Sequence, residues 1–272
     1  MSDQPHDPFW HLHDGLTVSM IMTHRDDLLT CTRQDTVASV MARNDGPYSF
    51  LPVKEDGKFI GLFEARKFFS GPDNQAFVVE HFSPISESFL IGIDTPIQDF
   101  VMTADDHPCR LVVSKKGVAG LVTISDIQKL PVRAALFAMI TGLEMEMISA
   151  IRASFQSDAD WLRLLSPDRV DDLNDRARKA KAGDTWVDVL LFTQFSDKTT
   201  IIRKSKLLGD IVSARKLGMI FDGIRNLRDN VAHANSIAET EAQEMIVSRT
   251  VRDIANYRTL IRDAVHRFAK RQ

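Results

Sequence analysis

Leu51-Pro52-Val53-Lys54-Glu55-Asp56-Gly57-Lys58-Phe59-Ile60-Gly61-Leu62-Phe63 reads as two apolar strands joined by a tight turn. Asp-Gly accepts the left-handed backbone that a two-residue hairpin needs. The same plan returns 59 residues later: Pro52-Val53 matches Leu111-Val112, and Gly61-Leu62 matches Gly120-Leu121. Ahead of them, Asp35-Thr36 matches Asp94-Thr95 at the same spacing. Three anchors at one spacing define an internal repeat.

Each copy reads strand, helix, strand, turn, strand, helix. In the first copy these fall at 28–30, 35–41, 50–53, 55–58, 59–63 and 65–69; in the second at 89–93, 95–102, 110–113, 114–117, 118–123 and 125–130. Asp35 and Asp94 are expected to cap the first helix of each copy, since a carboxylate there accepts free amides. Residues 70–80, with the turn Gly71-Pro72-Asp73-Asn74, read as the connection between copies.

Around this repeat the composition is that of a folded protein. The 272 residues are 44% apolar and 26% charged, enough for a real core and most simply two domains. The net charge of −3 excludes a strongly basic nucleic-acid scaffold. It is unevenly shared: residues 1–130 hold 11 basic and 18 acidic side chains, and residues 131–272 hold 23 and 19, so the second half is the better place for a polyanion. Two cysteines, Cys31 and Cys109, build neither a disulfide framework nor a metal spacing, which points to a reduced cytoplasmic setting. The N-terminus lacks the order of a signal peptide, and His6, His11 and His13 sit in a polar tail over 1–14. The longest apolar run, 134–140, is too short to span a bilayer, so no membrane is expected.

From Pro131 onward the period changes from two to 3.6. Ala134, Phe137, Ile140, Met147, Ile151 and Phe155 can line one long connecting helix, and further helices are expected at 168–182, 185–192, 198–207, 208–234 and 238–268. In the helix ending at His233, Ile220, Ile224, Leu227 and Val231 form an apolar stripe. At about 100° per residue, Arg225, Asn226, Arg228, Asp229 and His233 fall away from it. They are either a solvated charged face or a site.

Two resemblances follow. The stretch Val18-Ser19-Met20-Ile21-Met22-Thr23 and the segment from Leu51-Pro52-Val53 to Gly61-Leu62 resemble a CBS domain, and the second copy resembles its tandem partner. Such a pair implies an α+β module of two β-α-β-β-α repeats over 15–132 (copies at 15–70 and 78–132), binding AMP, ADP or ATP as a regulatory ligand. Gly120-Leu121-Val122-Thr123-Ile124-Ser125-Asp126 matches the family's ribose-phosphate segment. There Asp126 would accept the ribose hydroxyls, while Thr123, Ser125 and the helix amides meet phosphate; the alternative is that Ser125 or Asp126 is only a helix N-cap. In the first copy Glu64, Arg66 and Lys67 occupy these positions, so one site is expected.

Arg228-Asp229-Asn230-Val231-Ala232-His233 resembles the HEPN signature, Arg followed by four to six residues and His. The resemblance implies an all-α bundle over 133–272, a homodimer, and a metal-independent ribonuclease of the kind found among toxins and defence effectors. It places Arg228, Asp229 and His233 in the catalytic site, with no metal. The chemistry agrees: an imidazole and a permanent guanidinium suit attack by the 2′-hydroxyl of RNA, and DNA lacks that group. Many relatives of this kind are inactive, so a non-catalytic nucleotide-sensing or dimerisation protein stands as the alternative.

Overall fold

The structure is a computed structural model describing residues 14–71, 76–182, 188–205, 207–209, 211–233 and 235–269. His6, His11, His13 and the turn residues Pro72, Asp73 and Asn74 lie outside the described residues. The chain divides into two compact units between Val132 and Arg133.

The first unit contains β1 (Thr23–His24), β2 (Cys31–Thr32), α1 (Val37–Arg43), β3 (Leu51–Glu55), β4 (Lys58–Phe63), β5 (Phe82–Pro84), β6 (Leu90–Gly92), α2 (Ile97–Thr103), β7 (Cys109–Ser114) and β8 (Gly117–Thr123). In each repeat a helical crossover makes the first two strands parallel, and a hairpin makes the next two antiparallel. The first hairpin turns at Asp56 and Gly57, with φ of 48° and 75°, the left-handed pair its sequence predicts.

Each sheet borrows its outer strand from the other repeat. The strand orders are β2-β3-β4-β5 and β1-β8-β7-β6. The lead-in of copy one therefore completes the sheet of copy two, and the 70–80 connection continues into a segment that completes copy one. Matching bonds tie both exchanges down: the Val37 N–H donates to Ala76 O and the Ile97 N–H to Leu16 O, while Val78 N–H reaches Asp35 O and Val18 N–H reaches Thr95 O.

These bonds correct the repeat spacing. The equivalent positions are sixty residues apart up to the first helix, as Val37 and Ile97 show, and 59 apart from the hairpin onward. Asp35 therefore corresponds to Thr95, not Asp94, and neither aspartate is a cap. Thr36 caps α1, accepting the Ser39 N–H at 3.2 Å, and Pro96 holds that place in α2. The Asp35 carboxylate instead accepts the Thr32 N–H at 2.8 Å and pairs with Arg43 at 2.5 Å. The closing helices of both copies are short 3-10 turns, Ala65–Phe68 and Ile124–Gln128.

Val37, Val40, Leu51, Val53, Phe63 and Val78 pack into one core cluster in which the borrowed segment takes part. Full burial of a side chain of this size stabilises by about 1.5–3 kcal/mol. A second cluster, Leu62, Cys109, Leu111 and Leu121 with Phe50 and Phe59 against it, draws on both repeats.

The second unit is helical: α3 (Leu130–Ser154, entering from the first unit), α4 (Asp158–Leu162), α5 (Pro167–Ala182), α6 (Phe195–Lys204), α7 (Ala214–Ala232) and α8 (Glu241–Ala269). By length and composition α3 is apolar enough to cross a membrane, unlike the seven-residue run inside it. Core helices share that property, and Leu136, Leu143, Met147 and Ile151 are fully buried. The expected helix at 185–192 is a 3-10 turn, Val189–Phe192, where described. The helix expected from 208 starts later, where the Ser213 hydroxyl caps the Lys216 N–H at 3.3 Å. Phe155 lies just past the end of α3, and α4 was not legible as an element. Phe195, Phe221 and Tyr257 meet edge-on at 6.4 and 6.0 Å, joining α6, α7 and α8.

Two glycines mark where the borrowed strands sit. A Cβ on Gly120 would lie 2.3 Å from Thr23 O, and one on Gly61 would lie 2.4 Å from Ser83 O. Gly61→Ala and Gly120→Ala should each lower stability by about 1–3 kcal/mol, since the obstacle is backbone. Urea denaturation measures this, and a wild-type midpoint in both variants would contradict the exchange.

Candidate functional site

Thr123 ends β8, and the turn bearing Ser125 and Asp126 follows it directly. Asp126 is 9% exposed. Its Oδ2 accepts the Thr123 N–H at 2.6 Å and the Thr123 hydroxyl at 3.3 Å, and its Oδ1 lies 2.7 Å from Lys129 Nζ. The Lys129 ammonium also donates to Ile21 O. Here Thr123 is the N-cap and Asp126 reaches back to its N–H, so a ribose would have to share this carboxylate or displace Lys129 from it. Ser125 is exposed. Because the turn is 3-10 and five residues long, it supplies no helix dipole of consequence for phosphate.

In the first repeat, Glu64, Arg66 and Lys67 satisfy one another. Arg66 Nε donates to Glu64 at 2.7 Å, Lys67 pairs with the other carboxylate oxygen, and the Arg66 guanidinium stacks 5.0 Å over Phe50. Burial alone would raise the Glu64 carboxyl, but hydrogen bonds from Lys67 and Arg66 hold it below the usual range. The two segments, remote in sequence, border one buried thiol. Burial pushes Cys109 far up, Asp126 and Glu64 push the same way, and Arg66 opposes them. No pattern in the sequence brings these residues together; the second core cluster does.

In the second unit, α7 ends at His233, which is exposed and whose N–H donates to Asp229 O at 3.0 Å. Arg228 is half-buried and pairs with Asp229 at 3.0 Å. Arg228 and His233 are five positions apart, so on one helix they stand about 140° apart and share no face. A residue the motif does not contain docks at this end of the helix: Arg133, at the start of the unit, donates to Asn235 O at 2.5 Å and to Asn230 O at 3.4 Å. It covers the C-terminal carbonyls of α7, where a cation is favoured. Arg225 lies on a different stretch of the helix, 3.1 Å from Asp222.

Among the described residues, no three His, Cys, Asp or Glu side chains gather as a metal site. Cys31 is pushed up to about 12 by burial and then by Asp35. Neither thiol is poised as a nucleophile.

Solved structures similar to this chain cover under half of it. They include the CBS domain of the bacterial CNNM/CorC family Mg2+ transporter (18% identity, TM-score 0.38, 46% of this chain and 80% of that one). The same domain in complex with ATP gives 18% identity and a TM-score of 0.39, over 47% and 94% of the two chains. A CBS-pair protein, CBSX2 from Arabidopsis thaliana, gives 20% identity and a TM-score of 0.35, over 44% and 94%. No family model matches the sequence, and no curated protein is similar to it at a significant level.

Native protein at pH 8 should leave both Cys31 and Cys109 unmodified by an aromatic disulfide reagent, and both should react once the chain is unfolded. Rapid labelling of either thiol in the native state would contradict their burial.

Proposed function

We propose that the first unit is a CBS pair that binds one adenine nucleotide (AMP, ADP or ATP) as a regulatory ligand, and that the helical unit is the effector it controls. One observation carries the reading: the repeats differ where the resemblance puts the ligand. Repeat two keeps Thr123, Ser125 and a buried carboxylate at Asp126, whereas in repeat one the only carboxylate of the set, Glu64, is taken by both Arg66 and Lys67. A nucleotide would enter beside Asp126, with its ribose taking hydrogen-bonding capacity that Lys129 now uses. Lys129 immediately precedes α3, so the change would be felt where the helix starts.

For the effector, the reading is metal-independent cleavage of RNA. His233 would take or give the proton of the 2′-hydroxyl and leaving oxygen, and Arg228 would stabilise charge on the phosphate. Asp229 would hold the guanidinium of Arg228. Because Arg228 and His233 diverge around one helix, a second copy of the chain would complete the site. The Arg228–Asp229 pair favours a second reading, a non-catalytic bundle that dimerises, since a neutralised guanidinium is a weaker phosphate ligand.

Two experiments test this. Calorimetry with AMP, ADP and ATP should show binding that Asp126→Ala weakens roughly thirtyfold, as expected when a charged hydrogen-bond acceptor worth about 2 kcal/mol is removed. Unchanged binding in the variant would place the ligand elsewhere. In EDTA, wild-type protein should cut RNA to 2′,3′-cyclic phosphate ends, and His233→Ala should lose about two to four orders of magnitude in rate. The variant should keep its melting temperature, because His233 is exposed. Equal cleavage by the variant, or its abolition by EDTA, would rule out the mechanism, and no cleavage by the wild-type protein would leave the non-catalytic bundle.

A further inference from the structure

α6 and α7 enclose a groove of about 190 Å³ within the second unit. Thr200 and Arg203 line it from α6, and Gly218, Asp222 and Arg225 line it from α7. The floor is Phe221, 3% exposed, so the groove has an apolar base and a polar rim. It is smaller than the roughly 300–1,000 Å³ of sites that enclose whole small molecules, and suits a single compact group.

The rim specifies the charge of that group. Gly218 leaves α7 bare where the Arg203 guanidinium lies: a Cβ there would be 3.3 Å from Arg203 Nη1. Among the described residues Arg203, which is exposed, has no carboxylate partner, although Arg225 across the groove does. Arg225 contributes a second guanidinium, held by Asp222 at 3.1 Å. Two guanidiniums against one carboxylate leave a net positive groove. Thr199 spends its hydroxyl proton on Ser196 O at 3.0 Å, so the Ser196 and Thr200 hydroxyls are left to donate inward. A planar fork of donors beside a hydroxyl and an apolar floor matches a tetrahedral oxyanion.

We infer that this groove binds a phosphoryl group, and that the group is a backbone phosphate of the RNA strand. This deepens the RNA reading above and rests on it. The groove belongs to the same helix as Arg228 and His233. From Asp222 to His233 is about 16 Å of helix rise, a few nucleotides of strand. The groove would anchor the strand away from the point of cleavage, leaving Arg228 and His233 free for the scissile phosphate.

The test uses the full chain carrying His233→Ala, with a short fluorescent oligouridylate followed by anisotropy over a range of salt. Arg203→Gln should weaken binding roughly tenfold and lower the salt slope by about one. Lys179→Gln, the same charge change on the exposed end of α5, should alter neither. If Arg203→Gln binds like the Lys179 control, the groove is not the anchor, whether or not RNA is cleaved. Calorimetry with inorganic phosphate separates the sources. Phosphate binding that Arg203→Gln abolishes, without oligonucleotide binding by either chain, would keep the oxyanion site and overturn its assignment to RNA. Binding of neither probe to the parent chain would overturn the site itself.

Discussion

Strands β4 and β8 each present an edge of amides and carbonyls that nothing in their own repeat can satisfy. Left bare, such an edge is a site for promiscuous pairing; left buried, it costs a hydrogen bond at each group. The chain answers with strands of two and three residues, each supplied by the opposite copy. Much of the first unit follows from that. Gly61 and Gly120 must be small because a foreign backbone crosses them. The shared cluster around Cys109 exists because the two hairpins are held face to face, and it brings the Glu64 and Asp126 segments beside one buried thiol.

How far this was legible depends on what each signal encodes. Alternation and the Asp56-Gly57 turn specify local geometry, so the hairpins stand where expected. The match of Asp35-Thr36 to Asp94-Thr95 was a coincidence of letters. Copy two is one residue shorter between its helix and the next strand, and no alternation pattern records the length of an irregular loop. The exchange was not legible for a deeper reason: a run of apolar residues says that it will be a strand, not which edge it will join. In the helical unit periodicity found part of the buried side of α7, Ile224 and Leu227, while Leu217 and Phe221 complete it in place of the half-buried Ile220 and Val231. The start of α7 was misplaced because apolar residues at 208–212 mimic a further turn, whereas the Ser213 hydroxyl decides where the amides become helical. Arg133 carried no signal at all, since its role depends on carbonyls a hundred residues away.

The helical unit is organised by charge as well as by apolar burial. Lys198, 4% exposed, reaches Glu144 of α3 at 3.0 Å and Thr193 O at 2.7 Å. Arg169 grips Asp197 through two nitrogens, and Arg152 pairs with Asp188. Where a partner is buried, as Lys198 and Asp197 are, such a pair gains little net stability over apolar packing, but losing one partner strands the other. Their effect is to single out one arrangement of α3, α5 and α6. Arg203, by contrast, has no carboxylate partner among the described residues and faces the groove between α6 and α7.

The borrowed strands also impose an order in time. As the chain emerges from the ribosome, β1 is made well before the strand it pairs with among the described residues, β8, which is finished about a hundred residues later. At roughly 5–20 residues per second that is about 5–20 s during which an apolar segment waits without its sheet. The first repeat closes sooner, when β5 appears, and becomes the one folded surface on which the nascent second copy can assemble. A chaperone or the ribosome surface that shields residues 16–24 through that interval would decide how much of the protein reaches its native pairing.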